Sequence, residues 1–415
     1  MSNTPVAFRD ARPILQDCDS RLQAILNNAI LPFWFPQVVD TVHGGYQLNH
    51  DAQGRFLGPS DKMLVTQART MWFFAYLRNH GYNKAEYIEA ARHGFDYLRD
   101  TMWDKEQGGF FWQVDSSGKP TRTMKHLYGQ GFALYALSEY ALAFSSQPAL
   151  DLATRLFNLL ETKAHDPLYG GYRESFQTDW TVPSDDEPGY LSAPHDYKLM
   201  NTHLHLMEPL TVYYEASKSP LARERLLELI QIQSNAVVRK TVGACTDKFT
   251  RDWRPVPKPE YDVVSYGHDI ENIWLLMLAC ETARLPNGPF LDLYTTLFDY
   301  SLRHGYDKSA GGFYYYGPFN QDATNKAKVW WVQAEALVAS LSMYHLTQDK
   351  RYLDIFTQTL DWTEHHMVDW EHGDWHANVP DNRARPEGKA HAWKGPYHNG
   401  RAVVRCSALI QAMLK

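Results

Sequence analysis

Two histidines stand in sequence contexts that suit proton-transfer chemistry. His268 lies in the stretch 265–274, and His398 lies in the stretch 393–399. Each opens an apolar segment of helical period, so the sequence predicts that each ring lies near the positive end of a helix. An imidazole titrates near neutral pH and can take up and return a proton. Two such rings facing one pocket would form an acid/base pair.

An internal repeat provides a framework that could position these rings. A glycine pair followed by aromatic residues recurs at 44–46, 108–112, 170–172 and 311–314, with weaker copies at Gly243 and at 373–375. The copies are 64, 62, 73, 68 and 62 residues apart. This period is longer than that of the common solenoid repeats, and it predicts a helical hairpin plus a long connection, used six times.

The hydrophobic pattern predicts twelve helices, at 13–34, 63–79, 85–102, 126–145, 148–164, 198–217, 220–239, 267–285, 289–304, 327–346, 349–367 and 396–414. Connections after even-numbered helices are short and rich in helix breakers, whereas those after odd-numbered helices are long and carry the glycine pair. The glycine-pair motif is typical of a short β-hairpin with close backbone packing. If the helices alternate between an outer and an inner ring, the fold is an all-α (α/α)6 barrel whose mouth lies at the N-termini of six parallel inner helices.

Polar and aromatic residues gather near the starts of the even-numbered helices, where they would all face this mouth. They are Arg69, Tyr128, Gln130, Asn201, His203, His205, Glu208, His268, Glu271, Trp330, Trp331, Gln333, Glu335, Tyr397, His398 and Arg401. Indole rings such as Trp331 and Trp393 could pack in the core, but they also suit the C–H faces of sugars. Buried carboxylates such as Glu271 need a partner, and Arg69 is a candidate.

The histidines could also have structural or metal-binding roles. Any single one could be a core residue with a satisfied hydrogen bond. His203 and His205 point to different sides of a helix and cannot share an ion, whereas His205 and Glu208 can. His365, His366, His372 and His376 fit a solvated surface. The sequence carries no phosphate loop, dinucleotide fingerprint or nucleophile elbow. We therefore expect no bound metal and no cofactor.

Composition bounds the class of protein. A chain of 415 residues with 44% hydrophobic content can bury a large core, and we expect one domain spanning 1–415. A mean hydropathy of -0.47 and the lack of a long apolar run predict no membrane span. A net charge of -7 without a basic stripe argues against nucleic acid as a partner. Four scattered cysteines and an N-terminus without a signal pattern favour a reduced cytoplasmic protein.

Four ordered motifs, at 201–208, 265–271, 330–335 and 393–399, resemble those of the cellobiose 2-epimerases in the N-acylglucosamine 2-epimerase superfamily. The resemblance implies an (α/α)6 barrel that needs no metal or nucleotide and interconverts glucose and mannose configurations at a reducing-end sugar. It implies that His268 and His398 are the acid/base pair. His205, Asn201 and Arg69 would bind oxygens near C1 and C2, and His205 is grouped with the catalytic residues. It further implies that Trp331 and Trp393 stack on substrate and that Glu271 and Glu335 orient the histidines or ring hydroxyls, while Tyr128 is a candidate substrate-binding residue at the mouth.

The chemistry suits these residue types. Opening a sugar ring to its aldehyde acidifies the C2 proton, and removing that proton leaves an enediolate. Inversion requires reprotonation from the opposite face, so two groups with suitable pKa values are needed. We expect His398 to abstract the proton from one epimer and His268 to return it, with Arg69 and neutral donors stabilising the oxyanion.

Several alternatives stay open at this point. Protonation at C1 would give an aldose–ketose isomerase of the mannose–fructose type, and the same barrel hosts glycoside hydrolases, which use two carboxylates. A non-catalytic sugar-binding or protein-binding role is a third alternative. The sequence does not choose between a disaccharide and free mannose or glucose, because the loops, especially 174–197, set the room beyond the first ring. His391 stands where the resemblance leads us to expect an acidic residue. A monomer or weak homodimer is expected.

Overall fold

A closed ring of six helices forms the centre of the computed structural model, which describes residues 5–184, 193–380 and 386–415. Each inner helix packs against the next one, and the last packs against the first. The ring consists of α4 (Leu64–Asn79), α6 (Leu127–Phe144), α8 (Met200–Ser217), α10 (Tyr266–Ala283), α12 (Trp330–Thr347) and α14 (Tyr397–Leu414). The predicted (α/α)6 barrel is confirmed.

A second ring of helices surrounds the first, and each outer helix packs on one inner helix. Its members are α2 (Arg12–Ile25), α5 (Ala85–Tyr97), α7 (Gln147–Lys163), α9 (Pro220–Gln231), α11 (Leu291–His304) and α13 (Lys350–Trp362), with short helices α1 (Val6–Asp10) and α3 (Leu31–Trp34) near the N-terminus. Four outer helices continue into a π-helical turn, at Leu26–Ile30, Leu98–Met102, Ile232–Ala236 and Thr363–Met367. All twelve predicted helices overlap observed ones, and boundaries differ by a few residues in most cases.

Burial explains the division into two rings. In α4 every residue from Leu64 to Leu77 is buried, so this helix has no solvent face. Outer helices such as α13 bury one stripe, which includes Leu353, Phe356 and Leu360, and expose the other side. One hydrophobic cluster runs through both rings. The organisation as a single domain stays a prediction.

The glycine-pair motif forms the same tight hairpin in every unit. A single bridge pair closes it, as between Val39 and Tyr46, and its glycines have positive φ angles, 80° at Gly44 and 69° at Gly45. A Cβ on Gly45 would lie 2.6 Å from the Gln67 side chain, so a larger residue would need the neighbours to move. The weak copy at Gly243 is the same turn, closed between Val238 and Cys245.

A buried lysine fastens this hairpin to the inner helix in five of the six units. Lys62 donates to Asp40 at 2.7 Å and to the carbonyl of Gly44 at 2.6 Å. The same pairing recurs as Lys125–Asp104, Lys198–Asp166, Lys328–Asp307 and Lys389–Asp369. Each aspartate also accepts hydrogen bonds from backbone N–H groups of its turn, as Asp40 does from Val42 and His43. Full pairing of this kind is what a buried charge requires.

A polar side chain one turn into the inner helix holds the residue that follows the glycine pair. Gln67 accepts from the N–H of Tyr46 and donates to its carbonyl, both at 2.8 Å. Gln130 and Gln333 do the same for Phe110 and Phe313. His203 takes this place in the third unit and accepts from the N–H of Tyr172 at 3.0 Å. The histidine is therefore a hairpin anchor.

Short antiparallel strands link the loops at the mouth, as predicted. Most pairs join a strand that directly precedes an inner helix to a strand in the following long loop. The strands are β1 (Lys62–Met63), β2 (Gln113–Val114), β3 (Pro120–Arg122), β4 (Lys125–His126), β5 (Ser175–Phe176), β6 (Lys198–Leu199), β7 (Val238–Arg239), β8 (Ala244–Cys245), β9 (Lys248–Phe249), β10 (Val263–Ser265), β11 (Tyr316–Pro318), β12 (Lys328–Val329) and β13 (Asn378–Val379). They pair as β1–β2–β3, β4–β5, β6–β9, β7–β8, β10–β11 and β12–β13. Among the described residues, no helix is both long and apolar enough to cross a bilayer.

Candidate active site

A cavity of about 240 Å³ opens at the N-terminal ends of the inner helices. Its lining brings together eight of the ten residues selected from the sequence: Arg69, Tyr128, Asn201, His205, His268, Trp331, Trp393 and His398. Trp330 and Tyr315 complete the wall. A wider groove of about 1050 Å³ adjoins it at Tyr315, but neither His268 nor His398 lines that groove. The residues with acid/base chemistry therefore converge in the smaller cavity.

Trp331 lies beside both candidate acid/base histidines. Its ring centroid is 4.7 Å from that of His268 and 5.8 Å from that of His398. His268 is the third residue of α10, and His398 is the second residue of α14. Both rings thus lie in the first turn of an inner helix, near its positive end, and against the same indole.

The remaining two selected residues, Glu271 and Glu335, lie beneath the histidines and are fully buried. Oε1 of Glu335 is 2.6 Å from Nδ1 of His398. Its Oε2 accepts a hydrogen bond of 2.9 Å from the indole N–H of Trp274. With Nδ1 of His398 directed to a carboxylate, Nδ1 carries the proton and Nε2 of the neutral ring has a free lone pair.

Arg401 binds three carboxylates at once below the cavity. Its Nη2 donates to Glu271 at 2.9 Å and to Glu335 at 2.8 Å. Its Nη1 bonds Glu208, which also accepts from the hydroxyl of Tyr397. Its guanidinium stacks 4.6 Å from the Trp274 ring. This buried group is the anchor that the sequence analysis did not select as a site residue.

His205 connects two of these carboxylates. Its Nδ1 lies 3.3 Å from Oε2 of Glu208, and its Nε2 lies 3.7 Å from Oε2 of Glu271. The Oε2 atom of Glu271 is buried and has no hydrogen-bond partner in the described structure. The predicted pairing of His205 with Glu208 on one helix face is therefore present as a side-chain contact.

Arg69 presents a cation to the cavity. Its Nη2 donates to the hydroxyl of Tyr128 at 3.0 Å. Its Cζ lies 4.1 Å from the Phe132 ring centroid and 4.6 Å from that of Tyr397. The suggested pairing of Arg69 with a buried glutamate is absent among the described contacts, because Arg401 occupies that role. Aromatic rings surround the guanidinium and hold it in place.

Burial and neighbouring charges shift the pKa values of the histidines and glutamates in the site. Burial lowers the pKa of His268 to about 4, and burial together with Arg69 and Arg401 lowers the pKa of His398 well below its ordinary value. Burial also lowers the pKa of His205. Burial, and then the neighbouring Glu335, raise the pKa of Glu271 well above its ordinary value. Although burial opposes it, Arg401 holds the pKa of Glu208 at about 2.

Burial and the neighbouring Glu335 therefore favour the protonated form of Glu271. Burial raises the pKa of Glu335 as well, but Arg401 and Trp274 oppose the shift. Glu335 receives donors on both oxygens, from His398, Arg401 and Trp274, which favours the ionised form. At neutral pH the histidines are unprotonated and available as bases.

Within the described part of the chain, two overlapping groups have ligand atoms close enough to hold a metal ion, and the atoms of each group lie within 4.8 Å of one another. One consists of His205, His268 and Glu271, and the other of Glu271, Glu335 and His398. Of the four histidines predicted to lie on a solvated surface, His365, His366 and His372 are exposed, whereas His376 is partly buried. His391, which replaces an expected acidic residue, pairs with Glu387 at 2.8 Å and accepts from the N–H of Trp393 at 3.2 Å.

Tyr315 and the role of Arg401 were missed by sequence reasoning. The sequence placed Arg401 with Tyr397 at the start of the twelfth helix, but it did not show which carboxylates Arg401 binds. Tyr315 comes from the loop after the glycine pair, where periodicity carries no information about position. The loop 174–197, which we expected to limit substrate size, lies partly outside the described residues, because 185–192 are not described.

Known proteins are similar to this chain in sequence and in fold. The model of the N-acylglucosamine 2-epimerase family matches residues 44–402. A cellobiose 2-epimerase of Bacteroides fragilis is 32% identical over 389 residues, covering 92% of this chain and 97% of that protein. A D-mannose isomerase of Marinomonas mediterranea is 28% identical over 381 residues, covering 89% and 92%. The solved structure of a cellobiose 2-epimerase from Spirochaeta thermophila superposes with a TM-score of 0.86 at 33% identity, covering 98% of this chain and 99% of that chain.

The family match covers most of the chain, and the first of these relatives exceeds 30% identity over nearly its whole length. The chain belongs to the N-acylglucosamine 2-epimerase family and is an isomerase of the sugar epimerase class.

Proposed function

We propose that this protein inverts C2 of a reducing-end aldose by passing a proton between His398 and His268 through an enediolate. One observation carries the proposal: both histidines line a single cavity against Trp331, with Glu335 and Glu271 directly beneath them. The substrate presents its aldehyde form, in which the carbonyl at C1 makes the C2 proton removable. One ring removes that proton, and the other returns a proton to the opposite face.

His398 is the better-equipped base. Glu335 receives its Nδ1–H at 2.6 Å, which leaves Nε2 free to accept a proton from carbon. The imidazolium that forms is stabilised by the same carboxylate, which offsets part of the cost of placing a positive charge in a buried site. His268 lies on α10, which α12 separates from α14 in the ring, so it reaches the substrate from a different helix.

Glu271 supplies the proton that reprotonation needs. It offers donor atoms within 4.8 Å of both His268 and His398. Burial keeps its carboxyl group protonated because its pKa is raised well above the ordinary value. We infer that His398 takes the C2 proton while His268 passes a proton from Glu271 to the opposite face of C2, and that the proton held by His398 returns to Glu271 before the next turnover. The reaction then runs in both directions without a net change in protonation.

Arg69 and Tyr128 stabilise the enediolate oxygens. The guanidinium and the hydroxyl are joined by a hydrogen bond of 3.0 Å and both face the cavity. Donors fixed before the reaction act most strongly in a site from which water is excluded. Asn201 and His205 line the same side and bind hydroxyls near C1 and C2.

The substrate we propose is a disaccharide of the cellobiose or lactose type, with free mannose or glucose as smaller alternatives. Trp331 and Trp393 offer indole faces to sugar rings. The similarity to a cellobiose 2-epimerase at 32% identity supports a disaccharide. The similarity to a D-mannose isomerase keeps a second function in view, in which the same enediolate is protonated at C1 to give a ketose.

Hydrolysis is less well supported by this cavity. None of the described residues that line it is an aspartate or glutamate. Glu208, Glu271 and Glu335 are at most 1% exposed and lie below the histidines. A glycosidase needs two carboxyl groups flanking the scissile bond.

The deciding experiment is incubation with cellobiose, lactose, mannose and glucose in deuterated water, with products followed by NMR. Deuterium at C2 of the epimer is the expected result, whereas ketose products indicate isomerisation and shortened sugars indicate hydrolysis. His398→Ala should abolish C2 exchange. Exchange at a near wild-type rate in that variant contradicts the assignment of His398.

We also propose a cytoplasmic protein that is a monomer or a weak homodimer and has no nucleic-acid partner. All four cysteines, Cys18, Cys245, Cys280 and Cys406, are buried as free thiols, which suits a reducing compartment. Fractionation of cells and light scattering of the purified protein test these two statements.

A further inference from the structure

Three side chains on two inner helices, each of which also has a role in the proposed reaction, lie close enough together to form a second kind of site. His205 of α8, with His268 and Glu271 of α10, offer donor atoms within 4.8 Å of one another, and we call them the His–His–Glu group. Two imidazole nitrogens and one carboxylate oxygen are the donor set of many zinc sites with an open fourth position. The group borders the cavity, so an ion could reach it from solvent.

The orientation of His205 fits a metal ligand. Its Nδ1 contacts the carboxylate of Glu208 at 3.3 Å, and Arg401 and Tyr397 bond the same carboxylate. A carboxylate on one ring nitrogen fixes the proton there and leaves a lone pair on the other, the arrangement found behind most metal-bound histidines. The free Nε2 of His205 lies 3.7 Å from Oε2 of Glu271.

Glu271 contributes a second, independent observation. It is fully buried, and its Oε1 is held by Arg401 at 2.9 Å. Its Oε2 has no hydrogen-bond partner in the described structure, although an unpaired buried oxygen is costly. This atom and Nε2 of His205 are both unengaged and adjacent, so an ion between them would satisfy both.

We propose that the His–His–Glu group binds Zn²⁺ and that the bound ion reversibly inhibits the enzyme. His205, His268 and Glu271 provide three ligands, and the cavity provides the fourth position for water or a sugar hydroxyl. Ligand distances of about 2.0 to 2.2 Å require the three donors to close in around the ion. The ion occupies the lone pair of His268 and an oxygen of Glu271, so neither can take part in proton transfer.

The overlapping group of Glu271, Glu335 and His398 is a poorer zinc site. Oε1 of Glu335 already binds His398 and Arg401, and its Oε2 binds Trp274. A metal there would have to break bonds that hold the buried network together. His398 therefore serves as an internal control that separates the two groups.

Zinc binding is measured directly on metal-free protein by competition with a chromophoric chelator, and cobalt absorption reports the ligand geometry. We expect one Zn²⁺ per chain and an intense tetrahedral Co²⁺ spectrum. Glu271→Gln and His268→Asn should each weaken zinc binding about 100-fold, since each removes a ligand. His398→Asn and the triple surface variant His365→Ala/His366→Ala/His372→Ala should bind zinc within about threefold of the wild type.

The outcomes are distinct from those of the epimerase assay. His398→Asn is expected to lose C2 exchange and keep zinc, so failure of the proposed function leaves the metal measurement intact. Zinc should raise the melting temperature of the wild type and leave that of Glu271→Gln unchanged, which also shows that the variant is folded. Equal zinc affinity in Glu271→Gln and the wild type, or loss of binding in the surface variant, overturns the proposal. So does full C2 exchange in the zinc-loaded wild type.

Discussion

Two isosteric substitutions at the base of the cavity distinguish a protonated carboxyl group from an ionised one. Glu271→Gln and Glu335→Gln each replace one oxygen by an NH2 group without changing shape. Oε2 of Glu271 has no partner, and the acceptor Nε2 of His205 is 3.7 Å away. An amide N–H can point to that nitrogen, so the variant resembles the neutral acid. We expect the free energy of unfolding at pH 7 to change by less than about 1 kcal/mol.

The same change at Glu335 cannot be accommodated. Its Oε1 accepts from His398 and Arg401, and its Oε2 accepts from Trp274, so an amide NH2 meets a donor in either orientation. One buried donor is left unpaired at about 1 to 3 kcal/mol, and the acceptor that faces Arg401 and His398 loses its negative charge. Breaking a buried ion pair typically costs about 3 to 5 kcal/mol, and we expect a loss in that range.

The assay is urea unfolding of both variants at pH 7, followed by tryptophan fluorescence and by circular dichroism. A fall in kcat of about 5- to 30-fold should accompany the stability loss in Glu335→Gln, because the His398 imidazolium loses about 1 to 2 kcal/mol of ionic stabilisation. C2 deuterium exchange measures that fall in folded protein. Equal stability losses in the two variants, or a larger loss in Glu271→Gln, would refute the assignment of the proton to Glu271.

Three further predictions follow from the site and its framework. His203→Gln should fold and retain C2 exchange, since glutamine fills the same place in three other units. The folded pKa of His203, about 3, lies below its unfolded value of 6.5, so the wild type loses stability as pH falls below 6.5 and the variant does not. Parallel urea titrations at pH 7 and pH 5 should therefore show the difference in unfolding free energy shifting in the variant's favour by about 2 kcal/mol. For the wild type, kcat/KM should stay level as pH falls from 7 to 5 and decline near pH 4, because His268 with a pKa of about 4 is a base only above that value. A decline centred near pH 6.5 would contradict the lowering of the pKa of His268 by burial. Trp331→Leu should raise KM about 2- to 12-fold by removing an aromatic face worth about 0.5 to 1.5 kcal/mol, with Trp370→Leu, an exposed indole on the outer surface, as the unaffected control in steady-state kinetics.

Most of the architecture could be predicted from the helical periodicity of the sequence. Inner helices such as α4 are largely apolar and buried on every side, whereas outer helices such as α13 are apolar on one stripe, and periodicity detects the positions of both kinds of helix. Eight of the ten selected site residues line one cavity because the starts of the inner helices converge on the barrel axis. The prediction therefore depended on one geometric inference, that alternate helices share a ring.

Side-chain pairing across the ring was beyond the sequence. Nothing in the helical period shows that Arg401 of α14 reaches Glu208 of α8, Glu271 of α10 and Glu335 of α12, because these residues are far apart in the chain and meet only when the ring closes. The anchoring role of His203 could have been found, since it stands five residues after Lys198 as Gln67 stands after Lys62. Tyr315 lies in a long loop, whose path depends on tertiary contacts.

Because the buried lysine–aspartate pair recurs at the base of five hairpins, each of these long loops at the mouth is held in place independently of the others. Lys198, for example, ties the third hairpin to α8 by bonds to Asp166 and Gly170, and no residue of the acid/base pair takes part. Lengthening or exchanging the part of such a loop that lies beyond the lysine–aspartate pair should therefore leave the proton-transfer residues undisturbed. Such a scaffold lends itself to redirecting the enzyme toward shorter or longer sugars by segment exchange alone.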